Sequence, residues 1–144
     1  MARIWRNEVD IKKLNEWGNK TMAEAIGIEF IGFGDDYLEA RMPVDHRTKQ
    51  PAGLLHGGAS VALAETLGSV ASYLCVKSAD KRCVGIEINA NHLKASTSGF
   101  VIGRCTPIRI GGTMHVWSIE IKNEKGELTC VSRLTVMVIA GAPA

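Results

Sequence analysis

Hydrophobic positions recur along this chain with two different periods. From about Gly57 to Val76 nearly every residue is apolar or small, and Leu63, Leu67, Val70 and Leu74 fall at helical spacing, which predicts one long buried helix. On both sides of it the period drops to two. Residues 28–34 (IEFIGFG) and 37–44 (YLEARMPV) predict a strand pair joined by the Gly34-Asp35-Asp36 turn. Residues 82–94, 99–110, 114–122 and 128–139 are rich in β-branched side chains and predict four more strands. Turn signals at Ser96–Gly99, Gly111-Gly112 and Glu124–Gly126 separate them. These four are expected to run consecutively and antiparallel. Ahead of the first hairpin, Asp10 is placed to cap a short amphipathic helix with Ile11, Leu14 and Trp17 at helical spacing, and TMAEAIG adds a second helical turn closed by Gly27. Strand, strand, long helix, four strands is an α+β order, and an antiparallel sheet wrapped around the one long central helix is its simplest packing.

Composition adds bounds. At 144 residues and 46% hydrophobic, residues 1–144 are expected to form a single domain with a real core. A net charge of +2 without a basic stripe argues against nucleic acid as a partner. No apolar run is long enough to span a membrane and the N-terminus mixes charges into its sequence, so a cytoplasmic protein is expected. Cys75, Cys83, Cys105 and Cys130 form no CxxC pair and are expected to be reduced core residues, and no His/Asp/Glu set has the spacing of a metal site. The small-residue tail GAPA is expected to fray.

Within the long helix one feature is out of place: Glu65 is a lone carboxylate on an otherwise apolar and small surface. At about 100° per residue, Gly58, Glu65, Ser69 and Ser72 share one narrow stripe. Gly57, Gly58, Ala59 and Ser60 open the helix with backbone N–H groups free of side-chain crowding, which suits an oxyanion developing on a carbonyl carbon beside His56 and Gly57. Glu65 lies roughly 12 Å along the axis from Gly57, too far for one chain to bring both to one carbonyl. Two antiparallel helices from two subunits would do so, which predicts at least a homodimer.

The pattern MPVDHRTKQPAGLLHGGASVALAETLGSVAS, followed by GIEINANHLK and PIRIGGTMHVWSIEI, resembles the hotdog-fold acyl-CoA thioesterases. It is most similar to the 1,4-dihydroxy-2-naphthoyl-CoA hydrolases of menaquinone biosynthesis and the proofreading thioesterases of siderophore synthesis. The similarity runs from about Ile4 to Ile139. It implies the hotdog fold, dimers that commonly pair into tetramers, and hydrolysis of an acyl-CoA in which CoA is part of the substrate and no other cofactor is needed. It implies Glu65 as nucleophile or general base, the Gly57 amide beside His56 as holder of the carbonyl oxygen, Gln50 as orienting group, and Ser69 as a residue reaching the other subunit's site. It implies substrate and CoA contacts at Gly85, at His92, Leu93, Lys94 and Ala95, and at Arg109, Ile110, Gly111, Gly112, Thr113 and Met114. Lys94 and Arg109 would neutralise CoA phosphates, and the Gly111-Gly112 turn would let backbone approach the ligand.

Each assignment has a plainer rival. Glu65 could be paired with His92 or an arginine for structure alone. His56 could be only a helix cap, Gln50 only a loop residue, Ser69 a small residue for close packing, and Lys94 and Arg109 solvated surface. His46 and His115 are read as surface or turn residues, and Trp117 as core or acyl-pocket wall. Three further activities remain beside aryl-CoA hydrolysis: proofreading of a misacylated aryl carrier protein, hydration or dehydration of an acyl thioester, and non-catalytic acyl-CoA binding.

Overall fold

The computed structural model describes residues 2–77 and 79–141, so the tail beyond Gly141 lies outside the described residues. Two short helices, α1 (Ile11–Trp17) and α2 (Met22–Ala25), precede a hairpin of β1 (Glu29–Phe33) and β2 (Leu38–Pro43). The long helix α3 (Gly57–Cys75) follows, and then β3 (Lys81–His92), β4 (Phe100–Ile110), β5 (Met114–Asn123) and β6 (Leu128–Ala140). The Asp10 side chain accepts from the Lys13 amide and caps α1 as expected, while Trp17 lies largely outside the core, against the Tyr73 ring.

The six strands form one antiparallel sheet in the order β1-β2-β4-β5-β6-β3. The expected consecutive run therefore holds only for β4, β5 and β6. β3 pairs with β6 at the far edge, and β4 lies beside β2. The cause is α3, whose 19 residues span about 28 Å and carry the chain across the sheet before β3 begins.

α3 packs against β2, β3, β4, β5 and β6. Leu63, Ala64, Leu67 and Ala71 are wholly buried in one core cluster with Leu38, Met42, Ile119, Ile121 and Leu134. Where helix and sheet come closest the residues are glycines. A Cβ on Gly68 would stand 2.5 Å from Leu134 Cδ2, and one on Gly103 would stand 2.7 Å from Leu67 Cδ1.

Two readings of polar residues are corrected here. Ser72 does not share the environment of Glu65, and His115 is not at the surface. Both are buried, with Trp117, between α3 and β5. Trp117 Nε1 donates to Ser72 Oγ at 2.7 Å, and His115 Nδ1 lies 2.9 Å from the same oxygen. An indole can only donate, so the serine proton is left for a neutral His115 to accept. A strict period-two pattern puts His115 and Trp117 on the same face, and the helix above them supplies the partner they need.

Burial lowers the His115 pKa from its ordinary 6.5, partly opposed by the backbone of Gly111. The unfolded chain therefore binds this proton more readily than the fold does, so the contribution of the neutral ring is complete above pH 6.5 and is lost as pH falls through the lower folded value. Ser72→Ala is expected to cost about 1–3 kcal/mol by orphaning two buried nitrogens, measured as denaturant midpoint. His115→Gln should flatten the acid limb of the stability–pH curve.

At its C-terminal end α3 is held by the N-terminal segment. The Arg6 and Asn7 amides both donate to the Leu74 carbonyl, and Trp5 Nε1 donates to Gly34 O at 2.7 Å. The other notable edge is β3, which pairs on one side only. Val84 and Ile86 are exposed on it, and Gly85 between them is exposed as well. A long edge with apolar side chains and a free row of backbone donors and acceptors is the form of a strand that pairs with another chain.

Candidate active site

The loop from Asp45 to His56 is tied at both ends. Thr48 Oγ1 donates to Pro43 O at 2.6 Å, the His56 amide donates to Thr48 O, and the Leu55 amide donates to Ser96 O. This fixes the first turn of α3. His56 is the N-cap, and its Nδ1 accepts from the Gly58 amide at 2.7 Å. The Ala59 and Ser60 amides both donate to the His56 carbonyl. Among the described residues, Gly57 N–H is thus the one amide of this turn without an acceptor. The capping reading of His56 holds, and by satisfying its neighbours the cap leaves the Gly57 donor free at the positive end of the helix dipole.

A groove of about 360 Å³ opens in front of that amide, and Gln50, Gly57, His92, Leu93, Lys94 and Ala95 all line it, as expected. Gln50 Oε1 accepts from the Ala52 amide, which commits the carbonyl end of the side chain and leaves its N–H donors for a ligand. Lys94 forms an ion pair with Glu127 and holds that carboxyl below the usual carboxylate range, so its charge is already shared. Sequence reasoning missed Ser60 and Ser96, both buried, in the same groove. Ser60 was legible, since it follows Gly57 by three residues on one helix face. Ser96 was not, because it sits in a turn-signal stretch and meets the distant Leu55, whose amide donates to its carbonyl, only in the folded chain.

Glu65 lies half-buried on α3, facing β3. It makes no hydrogen bond or ion pair among the described residues, so the structural pairing with His92 or an arginine does not occur there. Its room comes from Gly85, where a Cβ would stand 2.7 Å from Glu65 Oε2. Next to Gly85 the β3–β6 register shifts, leaving Ile86 as the extra residue of a bulge. Gly85→Ala is expected to push the carboxylate aside and lower kcat by about 10–100-fold, because displacements of order 1 Å misalign reacting groups. Thermal stability should change little, because the added methyl meets only the end of the Glu65 side chain closely and Leu134 Cδ1 at an ordinary 3.6 Å, and kinetics beside a melting curve checks both.

The remaining residues lie elsewhere. Ser69 is half-buried one turn beyond Glu65 and makes no side-chain hydrogen bond among the described residues. Arg109, Thr113 and Met114 surround the β4–β5 turn, where the Gly111 amide donates to Met114 O at 2.9 Å. Ile110, Gly111 and Gly112 line a separate cleft near the C-terminal end of α3. One chain therefore holds the expected site in parts. The groove with its amide sits at one end of α3, Glu65 eight residues along it, and the glycine turn at the other end. No group of three or more His, Cys, Asp or Glu side chains among the described residues could hold a metal ion. No helix among them is long and apolar enough to cross a membrane.

Residues 52–130 match the Thioesterase superfamily. The chain is 52% identical over 136 residues to the 1,4-dihydroxy-2-naphthoyl-CoA hydrolase of Escherichia coli, covering 94% of this chain and 99% of that protein. It is 49% identical over 137 residues to the proofreading thioesterase EntH of Cronobacter turicensis, covering 94% and 98%. A crystal structure of a mutant thioesterase from Pseudomonas aeruginosa superposes with a TM-score of 0.94 at 47% identity, covering 95% of this chain and 99% of that one. The chain belongs to the thioesterase superfamily, with its hotdog fold, and is a thioester hydrolase.

Proposed function

We propose that this protein hydrolyses aryl-CoA thioesters, of the 1,4-dihydroxy-2-naphthoyl-CoA type, to the free acid and CoA. It does so as a cytoplasmic homodimer or dimer of dimers with its sites at the subunit interface. The observation that carries this reading is the pair of uncommitted groups on α3, the Gly57 N–H donor and the Glu65 carboxylate. Two contacts support the interface. Glu65 lies against Gly85 and Gly57 lies against His92, both on the free edge strand β3. If two β3 edges pair antiparallel about a two-fold near Ile88 and Asn89, Gly85 of one copy faces His92 of the other. Glu65 then meets Gly57 of the partner subunit.

At that junction the thioester carbonyl oxygen accepts from the Gly57 amide, and negative charge growing on it is met by a preorganised donor. Glu65 either attacks the carbonyl carbon, giving a mixed anhydride that water then opens, or removes a proton from the attacking water. In both routes the C–S bond breaks and the thiolate leaves as CoA. Gln50 donors orient the thioester or the water, and no cofactor beyond the CoA of the substrate takes part.

The test is thiol release from aryl-CoA, short-chain and long-chain acyl-CoA, and aryl-loaded carrier protein. Preference for aryl-CoA is expected. Preference for the carrier protein would make the enzyme a proofreader like the EntH relatives, and saturable binding without free thiol would remove the hydrolytic reading.

A further inference from the structure

Of the seven polar side chains buried among the described residues, five are hydrogen-bonded. Thr48 donates to Pro43 O, Thr129 to Ile121 O and Ser132 to Asn89 O, while Ser72 and His115 share the cluster with Trp117. The two hydroxyls without a partner among the described residues are those of Ser60, 4% exposed, and Ser96, 8% exposed. Both line the groove in front of the Gly57 amide. A buried hydroxyl is nearly always paired, so two orphans in one groove mark it as built for a polar ligand.

Ser60 is free for a definite reason. A hydroxyl inside a helix ordinarily turns onto the carbonyl four residues back, as Thr66 does onto Ala62 O at 2.7 Å. For Ser60 that carbonyl belongs to His56, and it already accepts from the Ala59 and Ser60 amides, which occupy both its lone pairs. The turn that leaves the Gly57 N–H free therefore leaves this hydroxyl free as well. Ser60 follows Gly57 by three residues, about 4.5 Å along the axis and on the same face. A helical side chain leans toward the N-terminus, here over the turn that Gly57 begins. A carbonyl oxygen about 3 Å from the Gly57 nitrogen on that face is within reach of the Ser60 hydroxyl. No histidine or carboxylate among the described residues is hydrogen-bonded to Ser60, so it has no base to make it a nucleophile.

We infer that Ser60 is a second oxyanion donor, its hydroxyl donating to the thioester carbonyl oxygen beside the Gly57 N–H of the same chain. The inference rests on the thioesterase reading above and adds to it a donor that the helix backbone does not supply. Ser60 keeps its proton throughout. Its hydrogen bond strengthens as negative charge grows on the oxygen, which lowers the barrier more than it tightens substrate binding.

The experiment compares wild type, Ser60→Ala and Ser60→Cys in thiol release from benzoyl-CoA and in melting temperature. Beside these, infrared spectra are taken of the bound ketone analogue of benzoyl-CoA, in which a methylene separates a ¹³C-labelled carbonyl from the sulfur. Ser60→Ala is expected to lower kcat about 100-fold with KM changed less than about twofold. Ser60→Cys, similar in shape but a weaker donor, should fall between. The melting temperature of Ser60→Ala should hold or rise, since a methyl replaces a buried hydroxyl that has no partner. The carbonyl stretch of the bound ketone should move to higher frequency in Ser60→Ala, as one of its hydrogen bonds is lost. A lower melting temperature with kcat unchanged would make Ser60 a packing residue and overturn the inference. So would a fall in kcat with the carbonyl stretch unmoved, which would place the hydroxyl on another part of the ligand. If wild type released no thiol, the hydrolytic reading would fall, and the carbonyl stretch alone would decide whether Ser60 donates to that oxygen.

Discussion

Mixing Glu65→Ala subunits with Gly57→Pro subunits is expected to restore about a quarter of wild-type turnover from two preparations that are each nearly inactive. Proline removes the one free amide at the start of α3 while suiting the backbone there. The first helical position tolerates it, and His56 before it already has φ −67° and ψ 130°, the extended conformation that a residue preceding proline requires. The ring's Cβ would come within 2.8 Å of His92 Nε2, but that imidazole is exposed and can turn away. Gly57→Ala keeps the amide and separates crowding from loss of the donor. If Glu65 acts with the Gly57 amide of the partner subunit, a mixed dimer contains one site with both defects and one with neither. Random exchange makes about half the dimers mixed, each with half its sites intact. If instead each chain completed its own site, every site in the mixture would carry one defect and no activity would return. Refolding the two variants together and assaying thiol release decides between them.

Glu65→Gln is expected to lower kcat by about 10²–10⁴-fold with KM changed little, since the amide keeps the shape of the carboxylate but neither attacks a carbonyl nor takes a proton from water. Stability should hold or rise slightly, because the replaced carboxylate has no hydrogen-bonding or ionic partner among the described residues of the isolated chain. Single-turnover kinetics on benzoyl-CoA, with the melting temperature of both proteins, tests the pair of statements. Turnover close to wild type would remove Glu65 from the chemistry and return it to a structural role at the β3 edge.

The sequence by itself determined the elements and the chemical groups. Period-two and period-3.6 patterns placed six strands and the long helix within a few residues of where they lie, since a strand or helix that buries one face must write that period into its residues. Glu65 and the open amides of Gly57 were legible for a related reason: a lone carboxylate on a small-residue helix and a glycine pair at its start are costly choices that local structure does not require. Tertiary structure alone decided where these parts meet. β3 joins β6 because α3 crosses the sheet, a matter of helix length and path that no local pattern encodes. Ser72, His115 and Trp117 form one buried cluster because α3 and β5 come together across 43 to 45 positions of sequence. The free Gly57 amide was fixed only once the His56 ring turned onto Gly58, and the room for Glu65 only once Gly85 lay over it. Pairing of distant residues is set by packing, in which a glycine or serine acquires its role from the side chain that arrives opposite it.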